Sequence, residues 1–171
     1  MTTHLVLTVM ARDAPGIVER VSEVVVAHGG NWLGSRMARL AGEFAGIVEV
    51  SVATAEADAL SRALQSLEGL RIQISEARNE ETPEATGERA LRLEVVGHDR
   101  PGIVREISQA LARRGVNVDE LETHCESAPM SGEALFKATA LLRLPEGVSE
   151  QGLSDELEKI AGDLMVDLTL D

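Results

Sequence analysis

The chain has 171 residues, 44% hydrophobic and 26% charged, enough for one ordinary domain or two small ones without disulfides or metals. A net charge of -13, only 2% aromatic residues and no basic run argue against direct nucleic-acid binding, which draws on clustered Lys and Arg or on stacking rings. A single cysteine, Cys125, rules out an internal disulfide and points to a reducing cytoplasm, while the acidic charge and the lack of a bilayer-length apolar run argue against a membrane.

Leu5, Leu7 and Val9 alternate with more polar neighbours, which is strand periodicity. Asp13-Ala14-Pro15-Gly16 breaks that strand. From Ile17 the period becomes helical, with Val21, Val24, Val25 and His28 on one face, until Gly29-Gly30 ends the helix. Residues 31–40 and 43–54 read as two strands joined at Ala41-Gly42 by a tight hairpin. A second amphipathic helix covers 56–67, with Ala57, Leu60, Leu64 and Leu67 on one face, and a last strand covers 71–78.

The pattern then starts again. Asp13-Ala14-Pro15-Gly16-Ile17-Val18 recurs as Asp99-Arg100-Pro101-Gly102-Ile103-Val104, an offset of 86 positions that also relates Gly29 to Gly115 and Asn31 to Asn117. Between the copies, residues 79–88 read NEETPEATGE, a polar, acidic connector. The expected organisation is domain 1 at 1–80, a linker at 81–88 and domain 2 at 89–171. The second copy predicts strands at 91–97, 117–125, 133–144 and 164–170, with helices at 102–114 and 149–161. The fold class is therefore α+β: two ferredoxin-like βαββαβ units, each a four-stranded antiparallel sheet with both helices on one face. The opposite sheet face carries Arg92 and Glu94 on the first strand of copy two and is expected to be solvated. Copy two replaces the tight hairpin with a longer loop, 127–132, which is either a plain surface loop or a contact site.

The repeated Asp-x-Pro-Gly segment has two readings. It is a good turn with an aspartate cap, since Pro suits the first helical turn and Asp accepts from free amides. It is also a generic receptor for a carboxylate or phosphate. The N–H groups of Gly16, Ile17 and Val18, and of Gly102, Ile103 and Val104, stand at the positive end of a helix. The variable position is Ala14 in one copy and Arg100 in the other, and Arg100 would favour an anionic ligand. Asn31 and Asn117 open the next strand and either satisfy loop amides or contact a ligand.

Catalytic signals are weak. His98, Asp99, His124 and Cys125 gather at one end of copy two, but close ligand pairs such as C-x2-C are missing and adjacent strand residues point to opposite faces. The sequence carries neither a P-loop nor a dinucleotide fingerprint. No catalytic residue, metal or cofactor is expected.

The βαββαβ order, the D-x-P-G-I-V helix start and the G-x-N turn resemble the ACT domain family. Two such units at this length are similar to the glycine cleavage system transcriptional repressor group. That resemblance implies a non-catalytic regulator that binds an amino acid, with glycine or serine the first candidates. It also implies ligand contacts at residues 13–18 and 99–104 with Asn31 and Asn117 nearby, and action through a regulatory protein partner. Open sheet edges add the expectation that the two domains pair and that the chain forms a homodimer. The alternative is a ligand-free interaction or oligomerisation module of the same type.

Overall fold

The computed structural model describes residues 1–77, 89–127 and 134–170. The connector expected at 81–88 and most of the loop expected at 127–132 fall outside them. The chain divides into two compact units, Met1–Thr82 and Pro83–Asp171.

The first unit runs β1 (Thr2–Arg12), α1 (Ile17–Ala27), β2 (Asn31–Leu40), β3 (Glu43–Ala53), a 3-10 turn (Thr54–Glu56), α2 (Ala57–Gln65) and β4 (Leu70–Glu76). The sheet order is β2-β3-β1-β4, with every neighbouring pair antiparallel. The alternation in β1 is realised directly, since Leu5, Leu7, Val9 and Ala11 are buried. Leu5, Leu7 and Val9 pack against Val21 and Val25 of α1 and Leu60 and Leu64 of α2, so both helices cover one face. Burial of each such side chain contributes roughly 1.5–3 kcal/mol. The opposite face is wet, and there His4 and Glu49 pair at 3.0 Å across β1 and β3.

The second unit repeats the arrangement: β5 (Arg89–His98), α3 (Ile103–Arg113), β6 (Asn117–Ser127), β7 (Ala134–Leu144), α4 (Glu150–Leu164) and β8 (Val166–Leu170), in sheet order β6-β7-β5-β8. Its core joins Leu91, Leu93 and Val95 to Ile107 and Leu111 of α3 and Leu153 and Leu157 of α4. As expected, Arg92 and Glu94 lie exposed on the other face, paired at 2.9 Å.

Several boundaries moved. β1 extends to Thr2 and Arg12 because β3 is long enough to pair with all of it. The helix expected at 56–67 is shorter and is preceded by the 3-10 turn. α4 continues past Ala161 because Leu164 is a further buried residue on its core face, and Met165 stops it in the left-handed region at φ 53.

Register also exposes a correspondence hidden by the longer loop of domain 2. Phe44 sits opposite Ala11 and Phe136 opposite Gly97, so β3 and β7 are related by 92 positions. Both second strands are irregular at the same place, at Leu33 between Trp32 and Gly34 and at Asp119 between Val118 and Glu120.

Candidate functional site

Each Asp-x-Pro-Gly turn connects the central strand to the first helix. The aspartate amides are anchored, with Asp13 N–H donating to the Gly42 carbonyl at 2.9 Å and Asp99 N–H to that of Ala134 at 2.9 Å. The helix N-cap residue is then a glycine in the left-handed region, Gly16 at φ 87 and Gly102 at φ 103. Glycine adopts this conformation without the Cβ penalty. The carbonyls of Gly16 and Gly102 accept the first helical bonds, from Arg20 and Glu106.

Among the described residues neither α1 nor α3 has a side-chain cap, whereas α4 has one, Ser149 Oγ accepting from Gly152 N–H at 3.2 Å. This corrects the expectation that the aspartates cap their helices. The left-handed glycine turns the chain so that each aspartate reaches the neighbouring strand instead. Asp13 pairs with Arg39 of β2, Nε to Oδ2 at 2.5 Å. Asp99 accepts a hydrogen bond from the Cys125 thiol of β6. Partial desolvation first, then the Asp99 carboxylate, push that thiol above its ordinary range. Arg39 lies opposite Phe44 and Cys125 opposite Phe136, so the two aspartates meet the same strand position with different chemistry.

The uncapped amides of Gly16, Ile17 and Val18 therefore keep their donor capacity. They open onto a depression of about 320 Å3 bounded by Asp13, Ala14, Gly16, Ile17, Val18, Glu19 and Phe44. Glu19 leans over the turn, its Oε2 3.6 Å from where a Cβ on Gly16 would stand. Glu106 takes the matching place in domain 2, Oε1 3.5 Å from the same point on Gly102. Amide donors beside a carboxylate form a site with both signs of charge. Pro15, Val18, Pro101 and Val104 are exposed, while Ile17 and Ile103 point into the core and offer only their backbone.

Arg100 does not reach the turn's amides. Its Nη2 donates to the Asp163 carbonyl near the end of α4 at 2.9 Å, and its Nε is buried with no partner. The guanidinium tidies a helix C-terminus rather than standing free for an anion.

The asparagines are far from the turns of their own domains. Asn31 pairs across β3 with Ser51, and Ser51 with His4, whereas the turn begins after Arg12. Eight strand positions separate the two, about 26 Å at ~3.3 Å per residue. Asn31 is exposed. Asn117 donates to Asp119 Oδ1 at 2.5 Å, and the same oxygen accepts from Arg143 Nη2 at 2.8 Å. Arg143 is the first reason the Asp119 carboxyl is held below the usual carboxylate range. Asn117 thus belongs to a cluster that holds the irregular step of β6.

Arg39, Phe44 and Glu19 were not singled out in the sequence as candidates. The spacing Asp13 to Arg39 carries no local signal, and only the hairpin register brings them together. Of the histidines considered with Cys125, His124 lies 3.7 Å from Glu126. Among the described residues no three His, Cys, Asp or Glu side chains gather as a metal ligand set. No helix among them is long and apolar enough to cross a membrane.

Two ferredoxin-like units, each with an uncapped, glycine-turned helix start, define a duplicated α+β protein of small-domain type. Two family models match it, both described as ACT domain, over residues 3–75 and 91–136. The chain belongs to the ACT-domain family, with two domains in tandem. A crystal structure of an unknown protein from Galdieria sulphuraria is 32% identical, with a TM-score of 0.90 over 100% of this chain and 98% of that one. The structure of a candidate glycine cleavage system transcriptional repressor shares the fold at 21% identity, with a TM-score of 0.71 over 100% of this chain and 97% of that one. No curated protein matches.

Proposed function

We propose that the protein is a non-catalytic regulator that binds a free amino acid at the turns opening α1 and α3 and passes the signal to a protein partner. The observation that carries this reading is the depression at residues 13–19. Helix amides without a side-chain cap meet the carboxylate of Glu19 there, beside Phe44. A zwitterion answers both charges: its carboxylate accepts from the amides, and its ammonium faces Glu19. The acidic chain supports action through a protein rather than through DNA. The likeness to a candidate glycine cleavage repressor makes glycine and serine the first ligands to try.

A ligand that binds only the native state raises its stability with concentration. The test is thermal melting of the whole chain against the amino acids at millimolar concentration. A rise in melting temperature that Gly16→Ala weakens is expected. No shift with any amino acid would sink the reading and leave the ligand-free interaction module.

A further inference from the structure

We propose that the cleft between α3 and β6 in domain 2 receives a branched aliphatic or thioether side chain, that of leucine, isoleucine or methionine as the free amino acid. This rests on the amino-acid reading above and assigns domain 2 a ligand class of its own.

The two copies differ at this place. In domain 1 the space between the first helix and the second strand is filled from within. Trp32 and Met37 of β2 are half-buried and packed against the core. Met37 lies so close over Gly46 that a Cβ there would stand 2.7 Å from Met37 Cγ. Register places Val118 where domain 1 has Trp32, Thr123 where it has Met37, and Ala138 where it has Gly46. An indole and a thioether are thus exchanged for an isopropyl group and a short hydroxyl side chain.

What remains in domain 2 is a cleft of about 40 Å3 lined by Val104, Ile107, Leu111, Val118, Leu121 and Phe136. That is room for about three water-sized volumes, the bulk of a four-atom side chain. Ser108 is the one hydroxyl residue on the wall. The mouth is apolar as well, since Val104, Val118 and Leu121 are 43%, 37% and 54% exposed. Water gains little from such a lining, and domain 1 shows which chemistry fills the equivalent space: large, apolar and soft. Val104 belongs both to the helix start and to the cleft. A ligand held by its carboxylate at the α3 amides therefore has its side chain directed along the helix toward Ile107 and Leu111.

The test titrates the full chain with leucine, isoleucine, methionine and glycine, followed by thermal melting and by methyl NMR of Val104, Val118 and Leu121. The three larger amino acids should bind at least about tenfold more tightly than glycine, the low end of what a single methylene contributes in an apolar pocket, and should shift those methyl signals. The double variant Val118→Trp/Thr123→Met copies the plugs of domain 1. It should keep or raise the melting temperature and lose the preference. Should it fail to fold, Thr123→Met alone should halve the shifts or more. A second probe, 3-methylbutan-1-ol, has the branched group without the charges. If it moves the cleft methyls while no amino acid binds, the cleft stands and the amide reading falls. If glycine binds as well as leucine and the double variant changes nothing, the cleft inference is overturned and the amide reading stands. Loss of a dimer in the double variant, with no effect of leucine, overturns it in favour of an interface between copies.

Discussion

Arg39 reaches back from the end of β2 to hold Asp13 at 2.5 Å, fastening the strand-to-helix turn of domain 1 to the neighbouring hairpin. In domain 2 the same place belongs to Cys125, and Asp99 meets a thiol instead of a guanidinium. The duplication has kept the position and changed the partner. The Arg39–Asp13 pair is well exposed on the arginine side, so it is worth only about 0.2–1 kcal/mol. Arg39→Ala should lower the urea midpoint slightly. A larger fall would mean that the turn depends on the pair for its shape.

Cys125 offers a direct readout of its aspartate. Partial desolvation first, and then the Asp99 carboxylate, disfavour the thiolate, so alkylation of the native chain at pH 8 should be slower than that of a free thiol. Asp99→Asn removes the charge and should speed alkylation by iodoacetamide. Unchanged rates in the variant would separate the thiol from Asp99.

Acid should act on β6. The Asp119 carboxyl is lowered in the folded state, chiefly by its hydrogen bond from Arg143. Its stabilising contribution is therefore complete above the ordinary carboxylate value near 4 and is lost as pH falls through the lower folded value. Glu126, also on β6, is lowered in the same sense by Lys137 of the neighbouring β7. Domain 2 should lose stability as pH falls below about 4, and Asp119→Asn should flatten that dependence. An identical pH profile for variant and parent would remove the carboxyl from the account.

Two glycines should differ in what an alanine costs. At Gly16 a Cβ meets nothing closer than 3.6 Å, so Gly16→Ala is penalised only for its φ of 87, by about 1–2 kcal/mol. At Gly46 the Cβ would stand 2.2 Å from the Arg36 carbonyl oxygen, and backbone must move. Gly46→Ala should cost more than Gly16→Ala, about 2–3 kcal/mol, at the upper end for overpacking. Chemical denaturation of the two variants decides the order, and equal costs would contradict the close approach of β2 to β3.

How much was legible in the residues follows from where each signal lies. The strand alternation of Leu5, Leu7 and Val9, the helical face of Val21 and Val25, and the glycines at turns are encoded within windows of about a dozen residues. The repeat doubled that information, and together they determined the element order, the α+β class and the positions of both helix starts. Tertiary structure alone decided the rest. Asp13 meets Arg39, and Asn31 lies a strand's length from the turn, because hairpin register sets cross-strand neighbours. The longer loop of domain 2 hid the match of Phe44 to Phe136, and with it the exchange of Trp32 and Met37 for Val118 and Thr123. Arg100 found a carbonyl on α4, 63 positions away in the chain. Local preference is written in neighbouring residues, whereas a site made of side chains far apart in sequence exists only once the sheet has closed its register.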